Sequence, residues 1–201
     1  MLAVTGSTAY GEPAEGDDCD LMAIARPGTV WLFLAFVFLR LRLRDSVSQA
    51  AEPAWCFNYT LDERAADTEY ARPRGFLFAR EALVARPLIG RPYYRTLLGR
   101  AGWLKEEAPR LYARWEAEMD EEHVELPPTP RALRLVNLLL FPVLAAYLHL
   151  KGLRANHRLR AEGRAEASFR TITRLDRVAL ETAKFERLSS RMAAASRIVP
   201  G

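Results

Sequence analysis

Gly6-Ser7 and Asp18-Cys19-Asp20 are the residues in this chain best suited to chemistry. A short apolar run, residues 2 to 5, leads into the Gly-Ser pair, and a second, Cys19 to Ile24, carries two carboxylates spaced i, i+2. Side chains on a strand alternate faces, so Asp18 and Asp20 are expected to point the same way. Paired carboxylates repel unless a cation lies between them, and hard oxygen ligands suit Mg²⁺ or Mn²⁺. A Gly-Ser turn offers backbone N–H groups and a hydroxyl to a phosphate. The combination describes a metal-dependent site for a nucleoside triphosphate.

This arrangement resembles the signature of the DNA polymerase β-type nucleotidyltransferase superfamily: strand, Gly-Ser, short spacer, then Asp-x-Asp on the next strand. The spacer, Thr8 to Asp17, has the length found in small single-domain members. Thr8-Ala9-Tyr10-Gly11 is similar to the turn that follows Gly-Ser there. Cys56-Phe57-Asn58-Tyr59 resembles a strand of uncharacterised nucleotidyltransferase-domain proteins, and Ala79-Arg80-Glu81, Pro87 to Gly90, Tyr94 and Trp103 resemble their next segment. The likeness covers about residues 2 to 110.

The resemblance implies Asp18 and Asp20 as catalytic metal ligands and Gly6, Ser7 and Tyr10 as nucleotide-binding residues, with Arg26 as a further candidate. It implies transfer of a nucleoside monophosphate from a nucleoside triphosphate to a hydroxyl on an unidentified acceptor. Active members add a third carboxylate on a later strand, and that place falls near Asn58. Asn ligates through a neutral carbonyl oxygen and cannot act as a base. Asp62 and Glu81 are the nearest acidic substitutes. The alternative reading is a catalytically degenerate module that binds nucleotide or another protein.

The elements that must position these groups follow from the pattern. The resemblance implies an α+β class, a small mixed-sheet nucleotidyltransferase core with packed helices over 1–110, and the remaining pattern reads as a helical region over 111–201, with a proline-rich linker near 126–130. Val30 to Leu43 reads as a helix, 45–53 as a polar loop, Trp55 to Leu61 as a strand and Ala65 to Pro73 as a charged linker. Gly75 to Ala85 continues best as a helix, which Pro87-Leu-Ile-Gly90 stops. Tyr93 to Gly99 and Trp103 to Glu122 read as helical, with Pro109 breaking the second. Arg131 to Lys151 is the most apolar stretch, interrupted by Arg134, Asn137, Pro142 and His149. Its uninterrupted core is shorter than the roughly 20 residues of a membrane span, so a buried, self-associating or partner-binding helix is favoured over membrane contact. Phe169 to Leu188 has helical spacing through Ile172, Leu175, Val178, Leu180 and Phe185, and the tail from Met192 is expected to be loose.

Composition narrows the classes. The 201 residues are 50% hydrophobic and 27% charged, a globular balance, and the net charge is +4. Arginine far outnumbers lysine but is scattered, so no nucleic-acid stripe stands out. Cys19 and Cys56 fall in expected strands as small buried thiols, no Cys or His pair has zinc-ligand spacing, and His123, His149 and His157 are isolated. Met1 enters the first motif without a basic head or long apolar stretch, so the cytoplasm is the default expectation. Superfamily members carry a helix before this strand, which leaves an upstream start open.

Overall fold

The computed structural model describes residues 1–11, 18–47, 55–118, 128–182 and 188. Six strands form one mixed sheet: β1 (Leu2–Val4), β2 (Cys19–Ala25), β3 (Trp55–Asp62), β4 (Arg86–Ile89), β5 (Phe169–Arg174) and β6 (Arg177–Thr182), in the order β4-β1-β2-β3-β6-β5. β1 lies antiparallel to β2, β2 parallel to β3, and the remaining pairs are antiparallel. The class is α+β, as the sequence suggested.

The alternation of side chains divides the core in two. Ala3, Met22, Ile24 and Leu61 face one layer of helices. That layer holds α3 (Glu63–Tyr70), α4 (Gly75–Val84), α5 (Arg91–Arg100), α6 (Trp103–Glu107) and α7 (Pro109–Ala117). Tyr94, Leu98 and Leu104 are completely enclosed there, and the Trp103 indole donates to Tyr70 O at 2.8 Å. The opposite face carries a paired row of Ala23, Thr60, Val178 and Thr173. Over it lie α2 (Val30–Val47) and the long α8 (Arg131–Ala161), whose second cluster is built on Val30, Trp31, Leu34, Ala145 and Val178.

α8 joins this layer through polar groups as well as apolar ones. Asn137, 1% exposed, accepts from the N–H groups of Trp31 at 2.7 Å and Leu32 at 3.2 Å. It thus caps the first turn of α2, whose N–H groups have no partner within their own helix. Further along α8, His149 Nε2 meets Thr173 Oγ1 at 2.8 Å. Asn156 donates to Phe169 O at 2.7 Å and accepts from Phe169 N–H at 3.0 Å, occupying the start of the edge strand. Gly152 lies between these two, and a side chain there would strike Thr171 Oγ1.

Several local expectations are corrected. Phe169–Arg174 and Arg177–Thr182 are an antiparallel hairpin, not a helix. Its alternating Thr171, Thr173 and Val178, all β-branched, suit a pleated surface, and pairing with β3 outweighs the helical spacing. The stretch expected as a charged linker holds most of α3, which is capped by Asp62 and carries Glu63 in its first turn. Pro87 sits in β4 on the sheet edge, where its missing N–H is tolerated. α2 runs on to Val47, and α8 continues to Ala161 rather than stopping near Lys151. Within Arg131 to Lys151 the fold itself encloses only Asn137 and Ala145, which corrects the expectation of a buried helix there. Residues 126 and 127 of the expected linker, and the tail from Met192, lie outside the described residues, while 128–130 lead directly into α8.

Two substitutions on α8 separate the capping role from composition. Asn137→Ala is expected to cost about 2 kcal/mol, because it strands two N–H groups in a closed site. Leu139→Ala, on the exposed side of the same helix, is expected to change stability by less than about 0.5 kcal/mol. Denaturant melts of the two variants beside the parent chain measure the difference.

Candidate functional site

The two halves of the Gly-Ser and Asp-x-Asp motif come together through strand register. Val4 is paired with Leu21, and Thr5 N–H donates to Asp20 O at 2.9 Å. Gly6 follows immediately, with φ of 63°, and opens the short helix α1 (Gly6–Tyr10). A β-carbon on Gly6 would fall on the Asp20 carboxylate. Glycine is therefore required twice, for its positive φ and for the close approach of the acid.

Asp20 is half-buried and Asp18, just before β2, is exposed. The parallel register places Cys56 opposite Asp20. One step further the register shifts: Leu21 pairs with Phe57 and Met22 with Tyr59, leaving Asn58 as the extra residue of a bulge. Bulges re-aim side chains. Here the Asn58 amide nitrogen donates to Asp20 Oδ1, while its carbonyl oxygen accepts from the Cys56 thiol at 2.9 Å. Burial, with Asp20 and Asp18 nearby, pushes the Cys56 thiol up to about 11. Cys56 is thus held as a neutral thiol donor.

Tyr10 closes one side. Its hydroxyl donates to Glu81 Oε1 at 2.6 Å, and the Arg80 guanidinium stands 4.3 Å from the centre of its ring. Burial, reinforced by the Glu81 hydrogen bond, holds the phenol well above its ordinary range. These contacts tie α1 to α4. They occupy Glu81 at Tyr10.

Asp62 is elsewhere. Register pairs it with Ala25, the last residue of β2, whereas Asp20 is the second. Five residue steps of strand separate them, roughly 17 Å. Asp62 is 4% exposed and uses both oxygens structurally: Oδ1 accepts from Ala65 N–H and Oδ2 from Gly28 N–H, each at 2.9 Å. It is a helix cap and turn clamp. Arg26, in the same turn, provides the carbonyl that accepts from the Thr29 hydroxyl at 2.9 Å, and so also stands at the far end of β2.

The structure therefore brings Gly6, Asp20, Asn58 and Cys56 into one group, with Asp18 at its exposed edge and Tyr10 on the neighbouring helix. Ser7 is the second residue of α1. Cys56 was read from sequence only as a small strand thiol. Its i, i+2 spacing from Asn58 was the available signal, since alternate strand residues share a face. Among the described residues, no group of three His, Cys, Asp or Glu side chains is placed to share a metal ion. Two carboxylates nevertheless fit a hard divalent ion that retains several waters, as Mg²⁺ does. Asn58 adds a dipole and no charge.

Gly6→Ala tests the contact on which the group is built. It is expected to destabilise the chain by about 2 kcal/mol, since it forces a side chain into a left-handed conformation and displaces Asp20. Gly11→Ala shares the positive φ but meets only the far end of Arg86. A larger loss of stability in Gly6→Ala than in Gly11→Ala, read from denaturant melts, reports the clash with the carboxylate rather than backbone strain.

Comparison of this chain with protein-family models, with curated proteins and with solved structures finds no match.

Proposed function

We infer that the chain is a metal-dependent nucleotidyltransferase that moves a nucleoside monophosphate from a nucleoside triphosphate, with ATP the first candidate, to a hydroxyl acceptor. The observation that carries this reading is the packing of Gly6 against Asp20, which unites the two halves of the motif at one end of the sheet. Asp18 and Asp20 are the proposed catalytic ligands of Mg²⁺ or Mn²⁺, and Gly6 and Ser7 the proposed phosphate-holding residues. Tyr10, tied to Glu81, fixes the helix that starts with them.

In the proposed reaction the acceptor oxygen bonds to the α-phosphorus as the bond to the α–β bridging oxygen breaks. Pyrophosphate leaves, and the hydroxyl proton passes to water at the exposed edge beside Asp18. A divalent ion supplies neutralisation of the triphosphate and of the leaving group when bound. The protein's share is positioning: Gly6 sets the backbone against Asp20, and Asn58 holds one oxygen of that carboxylate.

One observation favours a second reading, a domain that binds nucleotide without transferring it. Asn58 stands beside Asp20 where an active member would place an acid, and its amide donates to the carboxylate. It neither adds charge nor takes a proton.

Labelled transfer separates the readings. With ATP labelled at the α-phosphate and Mn²⁺, the enzyme reading expects label on an acceptor present in a crude extract. Asp18→Asn/Asp20→Asn is expected to lower incorporation by about a hundredfold or more. Binding of ATP without incorporation, with incorporation appearing in Asn58→Asp, selects the second reading. If ATP binding is absent, or unchanged in the Asp18/Asp20 double variant, both fail.

A further inference from the structure

The two faces of α8 have opposite employment. Its inner face carries Asn137, Ala145 and Gly152, which are buried, and Asn156, bonded to β5. The other side presents Leu135, Leu139, Val143, Leu150 and Leu153 at 55–67% exposure. Their spacing of four, four, seven and three residues makes one helical stripe. Eighteen residue steps give it a length of about 27 Å. A stripe of large aliphatic side chains this long is more apolar surface than a soluble monomer ordinarily leaves in water.

The charges on α8 are all of one sign. Arg131 and Arg134 precede the stripe; Lys151, Arg154, Arg158 and Arg160 flank or follow its end; no Asp or Glu occurs from residue 131 to 161. α2 repeats the plan, with exposed Phe36 and Leu39 followed by Arg40 and Arg42. We propose that α8, assisted by α2, docks this face on an anionic lipid bilayer, lying in the plane of the surface. Aliphatic side chains enter the acyl boundary while arginines reach the phosphates.

The geometry favours this occupant over others. Although polar residues interrupt its apolar core, α8 is, by length and composition alone, long and apolar enough to cross a bilayer. Its bonds from Asn137 to α2 and from His149 and Asn156 to β5, however, hold that whole length against the sheet layer. Spanning would break them, and lying flat keeps them. A second copy using the same stripe would set basic ends against basic ends in either a parallel or an antiparallel pairing. An anionic surface complements both ends at once. This inference does not depend on the nucleotide reading.

Flotation of the full chain with vesicles tests it. The chain is expected to float with phosphatidylcholine vesicles containing phosphatidylglycerol and to float much less with phosphatidylcholine alone. Leu139→Glu/Val143→Glu is expected to cut the floated fraction about tenfold or more, with circular dichroism and melting temperature unchanged. Should that pair disturb folding, Leu139→Ser/Val143→Ser is expected to give the same loss. Arg154→Gln/Arg158→Gln is expected to reduce the preference for the anionic vesicles. A chain that stays at the bottom with both vesicle types overturns the proposal, as does equal flotation of a folded stripe variant. A dimer in light scattering that the stripe variants dissociate, without vesicle binding, also overturns it and assigns the stripe to a second copy.

Discussion

The contact between Gly6 and Asp20 is the constraint on which the candidate site depends. β1 ends, the chain turns through a positive φ, and α1 begins beside a carboxylate that leaves no room for a side chain. Antiparallel pairing of β1 with β2 brings the backbone of Thr5 to Asp20. Parallel pairing of β2 with β3 brings Cys56 and Asn58 to the same acid. A carboxylate drawn into a half-buried position needs donors or a cation. Here a neutral amide provides one donor, and a neutral thiol holds the other end of that amide. The site is thus organised around a single half-buried acid, with the second acid, Asp18, at its exposed edge.

Much of this was legible in the residues, because the motif is local. Gly6, Ser7, Asp18 and Asp20 lie within a short span, and two apolar runs flank them. The α+β class followed from the resemblance that this motif carries, together with the short strands and helices read around it. Asn58 could be placed near Asp20 by strand alignment. Its role as a hydrogen-bond donor depends on a bulge, which has no sequence mark of its own. Asp62 was misplaced for the same kind of reason. Its distance from Asp20 follows from the parallel register, and its burial from capping α3 while holding Gly28. Asp62 followed by Glu63, Arg64 and the pair Ala65-Ala66 was a readable helix start, although the surrounding charge suggested a linker.

The larger misreading came from long-range pairing. Ile172, Leu175, Val178 and Leu180 are spaced as on a helix, but β3 has an open edge that β6 fills. Local periodicity cannot register a strand partner more than a hundred residues away. Asn137 is the reverse case. In the sequence it interrupts an apolar run, and in the fold it is among the most enclosed side chains, because the N-terminus of α2 needs an acceptor there. The apolar length of α8 was visible from the start. Which side of it stays uncovered was not, since both sides are apolar and only the docking of α2 and β5 tells them apart.

The central claim is that Asp18 and Asp20 hold a divalent ion against a triphosphate next to Gly6 and Ser7. The most direct test is a crystal structure of the chain with Mn²⁺ and a non-hydrolysable ATP analogue, read by anomalous scattering at the manganese edge. The account predicts an anomalous peak in contact with carboxylate oxygens of Asp18 and Asp20, with the triphosphate beside the first residues of α1. A triphosphate bound elsewhere, or manganese remote from both carboxylates in a nucleotide-bound crystal, would contradict it.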